Sequence, residues 1–182
     1  MSTLKVSTIS PLGTDSTKTI TIGSASNGDV AAGIFTNTPA FEAYLSSDQS
    51  ISDVTYTKVE ADTEVYDTDN CYDNSANYRF TPTVAGKYFV YGSALGDPQA
   101  ADQLEGCDVV IYKNGSSYRQ ERINFSNNDT RLASVSVTAV VDMDGSSDYL
   151  EFFCRVNDTS GTPVIDSGTK STYFGAYRMI GV

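Results

Sequence analysis

The stretch Tyr78-Arg79-Phe80-Thr81-Pro82-Thr83-Val84-Ala85-Gly86-Lys87-Tyr88-Phe89-Val90, residues 78–90, decides how this chain folds. Pro82 has no N–H to give to a strand ladder, so regular pairing must break there. Gly86 accepts the backbone angles of a tight corner. Beyond the corner, Lys87-Tyr88-Phe89-Val90-Tyr91 is aromatic and β-branched, as a buried strand should be. The segment reads as a strand end, a corner and the opening of a long central strand.

The same pattern repeats in both directions. Two-residue alternation and turn chemistry recur at short spacing, and helical periodicity is hard to find, which is the signature of an all-β chain. From Ala32 onward strands are expected near 33–36, 40–46, 53–59, 63–66, 78–80, 86–95, 106–113, 117–124, 132–142, 147–157 and 172–180. Lys113-Asn114-Gly115-Ser116 predicts a hairpin, because Asn-Gly readily adopts the positive φ angles of a type I′ turn. Asp142-Met143-Asp144-Gly145-Ser146 predicts a second. Residues 157–171, rich in Asp, Ser, Thr and Gly, are expected to form a long exposed loop. Upstream, residues 3–9 and 17–22 alternate as two short strands, each with one apolar ridge. A two-stranded unit has no independent core, so residues 1–30 are expected to be an arm that lies on something else. Residues 31–182 form the main domain.

Some strands are apolar on both sides. On 88–95, Tyr88, Val90 and Ala94 oppose Phe89, Tyr91 and Leu95. On 172–180, Tyr173, Tyr177 and Met179 oppose Phe174, Ala176 and Ile180. An antiparallel sandwich normally leaves one face of each sheet wet, so the second apolar side needs a cover. A subunit interface supplies one, and tyrosine suits a partly wet seam. A fully buried central strand under a loop is the alternative, and the interface accounts for the pattern more simply.

Composition narrows the function. The 182 residues suffice for one domain with an appended arm, and 40% of them are hydrophobic, enough for a substantial core. The net charge of −11 opposes nucleic acid as a partner, since phosphate recognition needs clustered Lys and Arg. Histidine is absent, which removes the commonest general base and metal ligand. Carboxylates such as Glu42, Glu60, Glu64 and Glu151 are scattered over separate strands, and nothing pairs two of them for acid–base work. No apolar run reaches the roughly 20 residues of a membrane span, and Met1–Thr8 has no apolar leader core. Cys71, Cys107 and Cys154 lack a CxxC spacing. Cys154 shares a side with Leu150, Phe152 and Val156 and is expected as a small buried thiol; a Cys71–Cys107 pair is the alternative. Synthesis and folding in a reducing cytoplasm fit these features.

The Phe80-Thr81-Pro82…Gly86…Tyr88…Val90 arrangement closely resembles the corner that opens the central strand in complement-q/tumour-necrosis-factor jelly rolls. Four further segments fall in the family's order. They are Pro39-Ala40-Phe41-Glu42-Ala43-Tyr44-Leu45-Ser46, Val109-Val110-Ile111-Tyr112-Lys113-Asn114-Gly115, Gly145-Ser146-Ser147-Asp148-Tyr149-Leu150-Glu151-Phe152 and Tyr173-Phe174-Gly175-Ala176-Tyr177. The likeness spans about residues 38–181. It implies a jelly-roll β-sandwich of about ten antiparallel strands that trimerises, binds and does no catalysis. On that expectation Phe89, Tyr91, Phe153, Tyr173 and Tyr177 line the homotrimer axis.

No Gly-x-y stalk stands before the domain. In its place residues 2–23 resemble the opening of tailed-bacteriophage virion proteins, especially those of marine phages. That resemblance implies a virion structural protein whose arm, through Leu4, Val6, Ile9, Ile20 and Ile22, anchors it to capsid or tail proteins. The jelly roll would then project as a surface decoration or head fibre. A tail-fibre tip that binds a host-surface receptor, and a cellular cytokine-like or lectin-like module, are the alternatives.

One cluster is ligand-like. Asp67, Asp69 and Asp73 alternate as calcium-loop oxygens do, but Cys71 holds the third ligand position, and neither the turn glycine nor the closing Glu follows. A solvated acidic loop without cofactor is the expectation, with calcium as the alternative.

Overall fold

The computed structural model describes residues 36–125 and 127–180. The arm residues Leu4, Val6, Ile9, Ile20 and Ile22, and nearly all of the strand expected at 33–36, lie outside them. Thirteen strands and no helix make up the described residues. They are β1 (Ala40–Tyr44), β2 (Gln49–Ser50), β3 (Thr57–Lys58), β4 (Thr63–Asp67), β5 (Tyr72–Asp73), β6 (Arg79–Phe80) and β7 (Gly86–Asp97). There follow β8 (Leu104–Lys113), β9 (Ser116–Asn124), β10 (Ala133–Met143), β11 (Leu150–Asp158), β12 (Val164–Asp166) and β13 (Tyr173–Arg178).

The strands form two antiparallel sheets packed as a sandwich. In the first, β7 pairs along its length with the edge strand β10. Its other side carries β13 and then β12, which continue outward to β1 and β2; β4 closes the far edge beside β1. The second runs β5-β6-β11-β8-β9, with β3 beside β11. The corner at 81–86 does what its residues predict. Thr81 N–H donates to Cys71 O at 2.8 Å, Gly86 takes φ +149°, and the Tyr88 hydroxyl returns to Val84 O at 2.7 Å. Asn114 (φ 52°) and Gly115 (φ 74°) make the β8–β9 hairpin with both central residues at positive φ.

Alternate side chains from both sheets fill the interior. Phe41 stacks on Tyr72 at 4.4 Å and on Phe80 at 4.6 Å, and Phe152 stacks on Phe174 at 5.6 Å. Ring pairs of this kind add to the burial of their area. Tyr88, Val90, Leu104, Ile111 and Leu150 complete a fully buried core.

Three expectations are corrected. The 142–146 turn is not a hairpin: β10 pairs with β7 and β11 with β8, so this turn carries the chain from one sheet to the other. It is held by Asp144, whose carboxylate accepts from the N–H groups of Ser146, Ser147 and Asp148. The 157–171 stretch is not wholly an exposed loop. Val164 and Ile165 are buried, and β12 bridges β7 to β2. Finally, 53–59 is not one strand, because a turn at 53–54 with Val54 at φ 54° precedes the two-residue β3.

The cysteines are free and buried. Cys107 and Cys154 approach each other at 3.8 Å (S to S) on the inner side of neighbouring strands β8 and β11, and Cys71 lies apart from both. The Cys107 contact and burial push the Cys154 thiol well above its ordinary pKa, so it stays protonated.

Candidate functional site

The outer side of the first sheet is where the surplus aromatic residues gather. On β7, Tyr88, Val90 and Ala94 point into the sandwich, so Phe89 and Tyr91 point out. Register places Tyr177 of β13 opposite Phe89, and Gly175 opposite Tyr91. Tyr173 sits one pleat further along β13. The result is a contiguous ring cluster: Phe89–Tyr177 at 5.5 Å, Phe89–Tyr91 at 6.2 Å and Tyr91–Tyr173 at 6.2 Å between centroids.

Tyr91 is the centre of this face. Its ring leans over Gly175, the one outward position of β13 without a side chain, and its hydroxyl reaches Oε2 of Glu42 on β1 at 2.8 Å. The Tyr66 hydroxyl of β4 stands 3.4 Å away. Burial, followed by these two oxygen neighbours, raises the Tyr91 pKa, so the phenol remains a donor at neutral pH. Beside the rings, β10 contributes Val140, opposite Phe89 and 46% exposed, and Thr138 opposite Tyr91. Ser93, Ser134 and Ser136 continue the face as a hydroxyl group, with Oγ separations of 3.1 and 3.0 Å from Ser93. Tyr44, opposite Tyr173, carries Lys170 Nζ over its ring at 4.6 Å.

The outer side of the second sheet is built differently. Buried Asp108 accepts from Arg122 at 2.7 and 2.9 Å and from the Tyr56 hydroxyl at 2.8 Å, and Arg155 lies 3.1 Å away. Lys58 pairs with Glu151 at 2.5 Å. Phe153 belongs here: it stacks on Tyr112 at 4.2 Å, with Lys58 beside the ring. Of the five residues expected to share one axis, the structure therefore brings four together and leaves Phe153 on the opposite face of the sandwich. Phe153 shares the alternation of the other four, but alternation does not say to which sheet a strand belongs. Sequence reasoning missed Glu42 and Gly175 as parts of the aromatic face. The signal was present, since Gly175 sits between Tyr173 and Tyr177 at outward spacing.

The three acidic-loop carboxylates are engaged within the loop, Asp67 and Asp73 by backbone N–H groups and Asp69 by a neighbouring hydroxyl. Asp67 accepts from the N–H groups of Asp69 (3.3 Å) and Tyr72 (2.8 Å), and Asp69 from the Thr68 hydroxyl at 2.6 Å. Asp73 accepts from the backbones of Ser75, Ala76 and Asn77 and from the Asn77 amide. Those bonds, led by Ala76 N–H, hold its pKa far below the usual carboxylate range. Among the described residues no group of three or more Cys, Asp or Glu side chains is placed to hold a metal ion. Of the scattered carboxylates, Glu42 is engaged by Tyr91 and Glu151 by Lys58, on opposite sheets.

Beside Asp73 a polar cup of about 390 Å³ opens at the β5–β6 edge of the second sheet. Asn70, Asn74, Ser75, Arg79 and Thr81 line it with Asp73.

No family model matches the chain, and no curated protein matches it in sequence. Solved structures do resemble it in fold. Murine APRIL at pH 5.0 aligns with a TM-score of 0.54 at 13% identity, covering 77% of this chain and 98% of that one. The globular domain of the zebrafish complement 1qA protein aligns at 0.51 and 15% identity, over 80% and 98%. The Eiger tumour-necrosis-factor protein of S. frugiperda aligns at 0.52 and 12%, over 79% and 93%. This is the jelly-roll fold of tumour-necrosis-factor and complement-q domains.

Proposed function

We propose that the chain is a self-assembling binding module without catalytic activity, in which three copies bring their Phe89–Tyr91–Tyr173–Tyr177 faces together around an axis. The observation that carries this reading is the contrast between the two outer faces. The second sheet surrounds the stacked pair of Phe153 and Tyr112 with ion pairs, whereas the first turns a contiguous cluster of four rings outward. A contiguous cluster of half-buried rings on an outer sheet face suits a subunit seam, and the chain's likeness in fold to APRIL, Eiger and complement 1qA supports assembly as its use. Light scattering at micromolar concentration tests it: three times the 19.6 kDa chain mass supports the proposal, and a monomer refutes it.

The finer reading sets this module on the virion surface of a tailed bacteriophage, as a head decoration or head fibre, after synthesis in the host cytoplasm. Its support is the sequence of residues 2–23, whose Leu4, Val6, Ile9, Ile20 and Ile22 ridge suits docking on a capsid or tail protein. The fold serves a host-receptor tail-fibre tip, or a cytokine-like or lectin-like module, equally well. Deleting residues 2–24 separates the readings: an anchored virion protein keeps its folded trimer and no longer joins particles, as electron microscopy would record. A truncated chain that unfolds contradicts the anchor.

A further inference from the structure

We propose that the cup at the β5–β6 edge is a binding site for a carboxylate-bearing sugar, with Arg79 as the residue that takes the carboxylate. The Arg79 side chain makes no ion pair and no hydrogen bond among the described residues; its guanidinium rests on the ring of Tyr149 at 4.7 Å. Two carboxylates are its cross-strand neighbours, Asp73 on β5 and Glu151 on β11. Neither takes the charge. Asp73 is turned into its own turn by four N–H donors, and Glu151 is held by Lys58. A chain of net charge −11 thus keeps an unpaired guanidinium at a polar cavity.

Contact with the Tyr149 ring holds the guanidinium without using its N–H donors, which remain to recognise a planar carboxylate in two-pronged fashion. The remaining walls select what carries that carboxylate. Asn70, with φ 53°, Asn74, whose Nδ2 donates to Asp62 O, and Thr81 line the cup with two amides and a hydroxyl. Such groups match the hydroxyls of a sugar ring. A doubly charged phosphate or sulfate is disfavoured, because one cation must offset it beside the Asp73 carboxylate. The volume lies at the small end of the roughly 300–1,000 Å³ of small-molecule sites, suited to one sugar unit of a polysaccharide. The inference rests on the reading of the chain as a binding module but not on its assembly, because the cup lies at the edge of the second sheet and the proposed assembly face on the first.

The test is a titration of the full-length protein, followed by backbone amide NMR, with D-galacturonate, N-acetylneuraminate, D-galactose and inorganic phosphate. The two acidic sugars should saturate in the millimolar range and shift the resonances of residues 70–75 and 79–81, while galactose and phosphate should not. Arg79→Gln should weaken binding about tenfold or more, and Arg79→Lys should rescue part of it, since lysine supplies charge without the fork. Tyr149→Leu should weaken binding several-fold with Arg79 still present, which keeps the test valid if an Arg79 variant does not fold. Galacturonate extended to an oligomer distinguishes a polysaccharide ligand from a free sugar by its tighter binding. Equal binding of galactose or phosphate, indifference to Arg79→Gln in a folded protein, or no saturation at tens of millimolar would each overturn the assignment. Light scattering on the same samples reports assembly separately, so loss of sugar binding in an intact trimer counts against the cup alone.

Discussion

Gly175 lies directly beneath the phenol ring of Tyr91: a Cβ at position 175 would stand 2.4 Å from Cζ of that ring. The bare backbone of β13 is what lets a β7 side chain cross it and reach Glu42 on β1, so one ring spans three strands.

Gly175→Ala should therefore push Tyr91 off Glu42. Overpacking of this kind costs about 1–3 kcal/mol, and urea denaturation should find a loss in that range. Tyr91→Ala combined with Gly175→Ala should cost less than the two single changes summed, because the clash needs both side chains. Strict additivity would show that the ring is not what the methyl meets.

The aromatic face and the Phe153 face separate by substitution. Tyr91→Asp or Tyr177→Asp should convert the proposed trimer to monomer, since an unpaired carboxylate buried at a subunit contact costs several kcal/mol. Phe153→Asp, on the opposite sheet, should leave the mass measured by light scattering unchanged. A Phe153 variant that dissociates while the tyrosine variants stay assembled would move the interface to the second sheet.

The β12 segment should behave as core. Ile165 is fully buried, and Ile165→Ala should lose about 2–5 kcal/mol of stability. Leu132→Ala, at a side chain 43% exposed, should stay within about 0.5 kcal/mol. Thermal or urea unfolding of the pair decides whether 157–171 is structural or merely connective.

Acid should destabilise the fold through particular carboxylates. Ser167 N–H lowers the pKa of Asp48, Ala76 N–H that of Asp73, and Lys113 that of Asp148. Stability from a depressed group is present above its unfolded value of 3.8 and lost as pH falls through the folded value. Asp158 runs the other way. Burial, then the charge of Asp53, raises its pKa, and its Oδ2 is buried without a hydrogen-bond partner. Its contribution is full below 3.8 and disappears as pH rises through the raised value. Asp158→Asn should thus stabilise the protein at pH 7 and give no gain at pH 3, as paired unfolding curves would record; an equal gain at both would exclude titration as the cause.

Much of the fold was legible before any coordinate. The Pro82–Gly86 corner, the Asn114–Gly115 hairpin and the two-sided apolarity of β7 and β13 are local signals, and local sterics determine them. What escaped was long-range. The turn at Asp144–Asp148 has hairpin residues, yet it changes sheets because its strands find partners elsewhere. Val164-Ile165 is only two apolar residues in a polar stretch, too few to register as period-two alternation. Phe153 and Phe89 look alike in sequence, and only pairing separates them. At the cup, nothing in the sequence tells that Asp73 turns inward and leaves Arg79 to Tyr149.

The place of β13 has a consequence for biosynthesis. It is the last of the described strands, and it fills the gap between β1, the first of them, and the middle of β7. Until residues 173–178 leave the ribosome, two interior strands face that vacancy with unpaired edges, and no partial product completes the sheet. Closure across the whole domain is then a late, high-contact-order event, the slow kind in β folds. A nascent chain with open edges is also prone to associate with its neighbours. A chain cut short before residue 173 should thus give insoluble product rather than a weakened domain.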